Sequence, residues 1–456
     1  MQLSNTLVSL LAVAASSIVD ARPSRQTADA TNSRIKNVVV LIMENRSFDS
    51  VFGRLKWDGI NTRVDGLTGN EYNDLDNGQR VMIQRGTNPA AGFDPNHEVH
   101  AVTEQIYGSG TVNAAGQVPD MSGFAQQAFV ESQENMDSVK QVMQAFGPDT
   151  LPVTYALAKE FAVVDNWFAS MPGPTYPNRH FAHCATGYGY TGNTDSLIGV
   201  GCKTVFGNLD AAGVSWGVYS DAPLATTLLY RDMRSIPHLK KTYKFGAFIK
   251  DAAAGKLPQY TFLDPNNNSN DDHPPNNLHN GQKFIKDTYE ALRSSPQWEN
   301  TLFLITYDEN GGFYDHVTPP TNVPIPDSSE MWPAVGDFKF ERLGPRVPAL
   351  VISPYVPKGA VIHSNIPGRN YEHSSIPATL KKIFGLPSFL TKRDAWAIPF
   401  DSIASLSSPR KDCIVKLPRC ISLSLHIQNK KKNRTQSRDI SSPCTHHMTC
   451  LFMFSQ

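Results

Sequence analysis

Three stretches of the chain read as continuous apolar runs: Ile35 to Met43 (IKNVVVLIM), Thr301 to Thr306 (TLFLIT) and Val347 to Ser353 (VPALVIS). Runs rich in Val, Ile and Leu, without polar alternation, are the pattern of strands buried on both faces, so each predicts a strand of a parallel sheet. The intervening segments have a different period. Gln282 to Ser294 sets Phe284, Ile285, Tyr289 and Leu292 at helical spacing. Ser374 to Phe384 reads as a second helix, with Ser374 as its cap. Strands alternating with helices predict an α/β fold, a mainly parallel central sheet flanked by helices. Residues 54 to 120 are rich in Gly, Asn and Asp and read as long loops over the carboxyl edge of that sheet, where ligands bind in such folds.

The two ends depart from this pattern. Leu7 to Val19 is apolar and leads into the small-residue sequence Val19-Asp20-Ala21 and the basic stretch Arg22 to Arg25. That is a secretory signal over residues 1–21, too short for a membrane span, followed by a polar linker over 22–34. A catalytic domain is expected over 35–418. From 419 to 456 the composition changes, and two readings stay open: a disordered tail, or a segment that is not part of the evolved domain.

Composition narrows the class. A chain of 456 residues, 40% apolar and 18% charged, can bury a sizeable core. Lys plus Arg equals Asp plus Glu at 42 each, so no global charge pulls the chain to nucleic acid or to an anionic membrane, and an anionic substrate must be held locally. Nucleic acid is not an expected partner, and a monomer is expected. Six cysteines in a secreted chain point to disulfides, with Cys184–Cys202 the pairing that closes a short loop. The absence of any CxxC pair argues against a cysteine-ligated structural zinc.

Candidate chemistry gathers at strand ends. The first run delivers Glu44-Asn45 and the second Asp308-Glu309. Parallel strands that end together bring these four groups to one edge, where they repel unless a divalent cation such as Mg, Ca, Mn or Zn lies between them. The alternative is a pair of solvated turns. A second element is Gly173-Pro174-Thr175-Tyr176-Pro177-Asn178-Arg179-His180, in which prolines on both sides fix a loop and keep it out of a helix. A hydroxyl beside an amide and a guanidinium has what phosphoryl transfer needs, with Asn178 and Arg179 holding phosphoryl oxygens. The alternative here is a rigid loop with Asn178 as a helix cap. Histidines next to acids form a third set: His97 and His100 in DPNHEVH, Asp272-His273 in DDHPPNNLH (which ends at His279), His316, and His373 after Glu372. Each is a candidate proton donor or ligand.

Five segments occur in order: MENRSFDSVFG from Met43, GPTYPNRHF from Gly173, TYDENGGFYDHV from Thr306, GPRVPALVISPY from Gly344 and YEHSSIPATLKKIFGLP from Tyr371. Together they resemble the phosphoesterase family that holds non-specific phospholipases C and a branch of acid phosphatases, within the alkaline-phosphatase-like superfamily. The resemblance spans Lys36 to Pro418. It implies an alkaline-phosphatase-like α/β sandwich, Thr175 as nucleophile, and Glu44, Asn45, Asp308 and Glu309 as ligands of a divalent metal ion. It also implies His97, His273 and Asp272 around the phosphoryl group, with Asn178, Arg179 and His279 as substrate contacts. The expected activity is that of a secreted, metal-dependent phospholipase C. It would cleave phospholipids to diacylglycerol and a phosphorylated head group through a phosphothreonine, with transient contact to a membrane surface. An acid phosphatase acting on small phosphate esters is the alternative, and a non-catalytic binding protein a distant one. Sulfatase chemistry is excluded, because Thr175 cannot become formylglycine. The chain departs from the family at Asn310, where a histidine is common.

Overall fold

Every residue of Asn37–Met43 (β1) is buried. Burying a Val or Leu side chain of this kind contributes about 2 kcal/mol relative to exposure, so the run can only be an interior strand. The structure is a computed structural model. It describes residues 34–420 apart from 91, 109–117, 268, 327–337 and 365. The expected signal, the linker before Arg34, the tail after Cys420, and Cys444 and Cys450 lie outside the described residues.

The other strands of the central sheet are β2 (Ala162–Val164), β3 (Trp216–Ser220), β4 (Thr242–Tyr243), β5 (Tyr260–Asp264), β6 (Thr301–Tyr307), β7 (Ala349–Ile352) and β8 (Val361–Ile362). They lie in the order β8-β2-β7-β6-β1-β5-β3-β4. Pairing is parallel from β6 through β1, β5 and β3 to β4, and between β8 and β2. The run expected as a third parallel strand is antiparallel to both neighbours: β7 pairs with β6 and β2 in the opposite sense. The chain between β6 and β7 does not cross to the far edge, so it re-enters the sheet from the end it left. A strand covered on both faces carries the same apolar run in either direction.

Six helices matter to the site: α1 (Val99–Tyr107), α2 (Phe124–Glu131), α3 (Met136–Val142), α4 (Thr175–Cys184), α5 (Leu278–Ser294) and α6 (Ser375–Phe384). Helix α5 starts one turn earlier than its apolar period suggests, because the Asn277 side chain accepts from His279 N and caps it. Ser374 precedes α6, but its side chain makes no capping bond. Helix α5 packs with Pro152–Glu160 and Phe245–Ala253, and α6 packs with α4, giving helical cover to the sheet. The disulfide Cys184–Cys202 is present. Cys413 and Cys420 are thiols.

The segment expected as long loops is more ordered than its composition suggests. Leu67, Leu75, Val81 and Ile83 are single apolar residues among Gly, Asn and Asp, and they gather with α1, α2 and α3 into a second core separate from that of the sheet. Tyr314, from the loop after β6, packs into the same cluster, so this small layer sits over the carboxyl end of the sheet.

Candidate active site

Strand register builds the site. β1 and β6 pair from Asn37↔Thr301 to Met43↔Tyr307 and end level, so Glu44-Asn45 and Asp308-Glu309 leave the sheet side by side. All four are buried. Asp308 Oδ1 accepts from Asn45 N at 3.2 Å and from Glu309 N at 2.8 Å, which ties the two turns together. Asn45 adopts the left-handed region at φ 67°. Gly311 lies against it, and a Cβ there would stand 2.2 Å from Asn45 Oδ1, so this close approach requires glycine.

Thr175 is the first residue of α4 rather than part of a loop. Pro174 is its N-cap and Pro177 falls in the first turn, where a missing N–H breaks no helical bond. The prolines therefore start the helix instead of delaying it. The Thr175 hydroxyl is buried and donates to Glu44 Oε1 at 3.2 Å.

Asn178 and Arg179 do not face a substrate. Asn178 Oδ1 accepts from Met171 N at 3.1 Å, and Nδ2 donates to the carbonyls of Gly173 and Pro174 at 2.9 and 3.2 Å. Its polar atoms are used up in holding the turn that presents Thr175. The Arg179 guanidinium lies beneath the cluster. It bonds Asp308 Oδ2 at 2.8 Å and Asp264 Oδ1 at 3.0 Å, and stands 3.5 Å from Glu44 Oε2. Three carboxylates on one buried cation leave it nothing for a ligand.

The electrostatics are lopsided. Burial, and then Asp308, push the Glu44 carboxyl up to about 7. Burial and Asp308 also hold Glu309 well above the carboxylate range. Asp271 is pushed to about 6, chiefly by burial. Among the described residues, the side-chain amide atoms of Asn45, Glu309 Oε1 and Asp271 Oδ2 are buried with no hydrogen-bond partner. Orphaned oxygens among carboxylates that raise one another are the donor set a hard divalent cation takes.

Two histidines border this cluster. His97 Nδ1 meets Pro95 O at 2.7 Å and His273 Nδ1 meets Pro274 O at 2.5 Å. Each Nδ1 therefore carries the proton, and each Nε2 points away from its carbonyl: His97 toward Glu309 Oε1 at 4.0 Å, His273 toward Asp94 Oδ2 at 3.7 Å. The rings meet edge-on with centroids 6.1 Å apart. Asp272 sits deeper, at φ 80°, accepting from the Tyr307 hydroxyl at 2.6 Å with its other oxygen unpartnered; burial pushes it to about 7. His279 is in the first turn of α5, and no hydrogen bond or ion pair among the described residues joins it to the cluster. His373 is an internal brace: Trp167 donates to its Nδ1 at 3.4 Å, and its Nε2 donates to Asp308 O at 2.6 Å.

A second acidic group lies behind the first. Ligand atoms of Asp49, Asp315 and His316 come within 4.8 Å of one another, a spacing that could hold a metal. A cation is already there. Arg346 Nε bonds Asp315 Oδ1 at 2.9 Å and its Nη2 bonds Asp49 Oδ1 at 3.2 Å. His316 bridges Asp49 at 2.6 Å and Asp65 at 3.2 Å. Burial opposes its charge, but Asp49 and Asp65 raise it to about 10, and a doubly protonated imidazole has no lone pair for a metal.

Sequence reasoning missed Asp271, Asp264 and His373's bracing role. Asp264 carried a readable signal, since it ends a buried strand as Glu44 and Asp308 follow theirs.

The mainly parallel sheet carries its buried polar cluster at the carboxyl edge, where ligands bind in α/β folds. The chain belongs to the Phosphoesterase family, whose profile matches residues 35–387. It is 45% identical over 402 residues to non-specific phospholipase C6 of Arabidopsis thaliana, covering 85% of this chain and 75% of that one. Non-specific phospholipase C1 of the same plant is 44% identical over 418 residues, covering 88% and 76%. Phospholipase C B of Mycobacterium tuberculosis is 29% identical over 456 residues, covering 85% and 83%.

Proposed function

We propose that the chain is a secreted, monomeric, divalent-cation-dependent phospholipase C that cleaves phospholipids to diacylglycerol and a phosphorylated head group through a phosphothreonine at Thr175. The observation that carries the reading is the buried Thr175 hydroxyl bonded to Glu44 within a carboxylate cluster whose acids outnumber its one buried cation, Arg179. The relatives named phospholipase C support the substrate class. Secretion is supported by the apolar segment after the first residues and by a disulfide of the kind that persists in oxidising compartments.

Glu44, Asn45, Asp308 and Glu309 would hold the cation, which supplies charge that lowers the pKa of a nearby hydroxyl and neutralises phosphoryl oxygens. The rest falls to the chain's own side chains. Thr175 Oγ attacks phosphorus as the bond to the diacylglycerol oxygen breaks, and its proton leaves toward the Glu44 side. Arg179 and Asn178 position Glu44, Asp308 and the Thr175 turn without touching substrate. His273 or His97, protonated on both ring nitrogens, gives its Nε2 proton to the departing alcohol. Water then attacks the phosphothreonine and Thr175 Oγ leaves. The fixed geometry supplies most of the acceleration.

The deciding experiment assays the purified protein on phosphatidylcholine and p-nitrophenyl phosphate side by side. Diacylglycerol and phosphocholine are the expected products. Turnover of the monoester alone would overturn the phospholipase reading in favour of an acid phosphatase.

A further inference from the structure

Large apolar side chains left in solvent are normally scattered. Here three of them crown two turns next to the catalytic helix: Ile198 is 77% exposed, Leu197 57% and Leu224 52%. Both turns are fastened to the site. Tyr176 N, in the first turn of α4, donates to Asn193 Oδ1 at 2.8 Å, and His180 Nε2 meets Ser196 Oγ at 2.8 Å, which fixes the 3-10 turn Thr194–Ile198. Leu224 follows β3 at the carboxyl edge, and two residues on Thr226 donates through N and Oγ1 to Asp264, the partner of Arg179. The apolar tips are therefore tied to the helix that carries Thr175 and to Asp264, on the rim of the sheet's carboxyl edge.

The rim is also basic. Arg231 Nε donates to Gly199 O at 3.0 Å, and Arg234 packs on Gly199 so closely that a Cβ there would meet its Nη1 at 2.9 Å. Both arginines are exposed beside the apolar tip. Apolar tips inside a basic collar match an anionic lipid bilayer, with acyl chains below and negative head groups at the level of the collar.

We propose that Leu197, Ile198 and Leu224, collared by Arg231 and Arg234, form the surface that seats this protein on an anionic phospholipid bilayer with the Thr175 mouth facing the lipid. The proposal rests on the phospholipase reading of the site and names the form in which substrate is met.

The test compares the wild type with the Leu197→Ser/Ile198→Ser double variant. Sedimentation with vesicles of phosphatidylcholine, alone or mixed equally with phosphatidylserine, reads the surface without reading catalysis. Binding to the mixed vesicles should weaken about tenfold or more in the double variant, because two side chains leave the acyl boundary. Arg234→Gln should weaken it about fivefold, and only on mixed vesicles. Ile198→Trp, which enlarges the tip, should bind more tightly than wild type. Turnover of dibutyryl phosphatidylcholine in monomeric solution should be unchanged in the double variant while turnover of vesicles falls in step with binding. Equal vesicle binding by wild type and double variant would overturn the proposal. So would a parallel loss of monomer turnover, which would make the turn a support of the site. A wild type that binds mixed vesicles through this tip yet cleaves neither lipid would sustain the surface and sink the phospholipase reading instead.

Discussion

Two acidic clusters lie beyond the ends of β1 and β6, each drawing residues from the segments that follow those strands, and their difference is chemical rather than compositional. In Asp49, Asp65, Asp315, His316 and Arg346, three carboxylates meet two cations and each named charge has a partner within hydrogen-bond reach. In Glu44, Asp271, Asp308 and Glu309, only Glu44 and Asp308 reach Arg179, which also pairs with Asp264, and among the described residues one oxygen each of Glu309 and Asp271 has no hydrogen-bond partner. The first cluster is complete in itself and locks three segments together. The second carries more acid than its cation balances, so a further positive charge would relieve it. Spacing alone would rank the first as the metal centre; charge balance ranks the second.

The largest test of this contrast is Thr175→Ala. Removing the hydroxyl beside the incomplete cluster should lower kcat at least about a thousandfold while metal content and Tm stay at wild-type values, and Thr175→Ser should retain part of the activity. Stereochemistry at phosphorus checks the same step. Retention follows from two displacements, whereas inversion on a chiral thiophosphate would remove Thr175 from the nucleophile's place.

Arg346→Ala acts on the complete cluster and should show the reverse pattern. It strands the buried carboxylates of Asp49 and Asp315, so unfolding in urea should require about 3–5 kcal/mol less, with metal content per folded molecule unchanged. Metal loss in a still-folded protein would mean that this cluster, not the other, holds the ion.

Glu44→Gln should lose metal and activity together, yet be more stable than wild type in chelator. A carboxylate raised from 4.5 to about 7 in the folded state costs nothing at low pH and destabilises progressively as pH rises from about 4.5 to about 7. The gain at pH 8 should be on the order of 3 kcal/mol. His316 is likewise raised, from 6.5 to about 10, so its contribution is fully present below pH 6.5 and is lost as pH climbs through 10. Chelated wild type should therefore lose stability in two windows. Glu44→Gln should shrink the lower one, which Asp271 and Asp272 share, and His316→Gln should remove the upper, read by Tm against pH.

The smallest effect is expected far from both clusters. A chain ending at Pro418 keeps the bonds of Leu417 to Glu290 and Lys286, so its stability should change by less than about 0.5 kcal/mol and its activity not at all. A large drop in Tm would place part of the tail in the core.

The central sheet was legible because interior strands have nowhere to put polar residues. The direction of β7 was not, since burial on both faces hides it. The layer over the site was missed because Leu67, Leu75, Val81 and Ile83 show no period in sequence and meet only in space. At the site, Glu44, Asn45, Asp308 and Glu309 could be read from strand ends. The internal partners of Asn178 and Arg179 could not be read, because Thr175 opens a helix whose next turn points inward. A sequence gives the neighbours of an arginine along the chain, not which carboxylates lie beneath it.

One consequence follows from the tight seat of Asn45. Asn45-Arg46-Ser47 is also an acceptor sequence for N-linked sugar. In the folded protein Asn45 is fully buried, and Gly311 leaves its amide no room even for a methyl group. A glycan there could be added only to the unfolded chain and would then prevent the first strand end from closing on Asp308. In a eukaryotic secretory pathway, folding of β1 against β6 thus competes with glycosylation at the catalytic cleft. Peptide mapping of active secreted protein should find Asn45 bare, and the glycosylated fraction should be found only among misfolded chains.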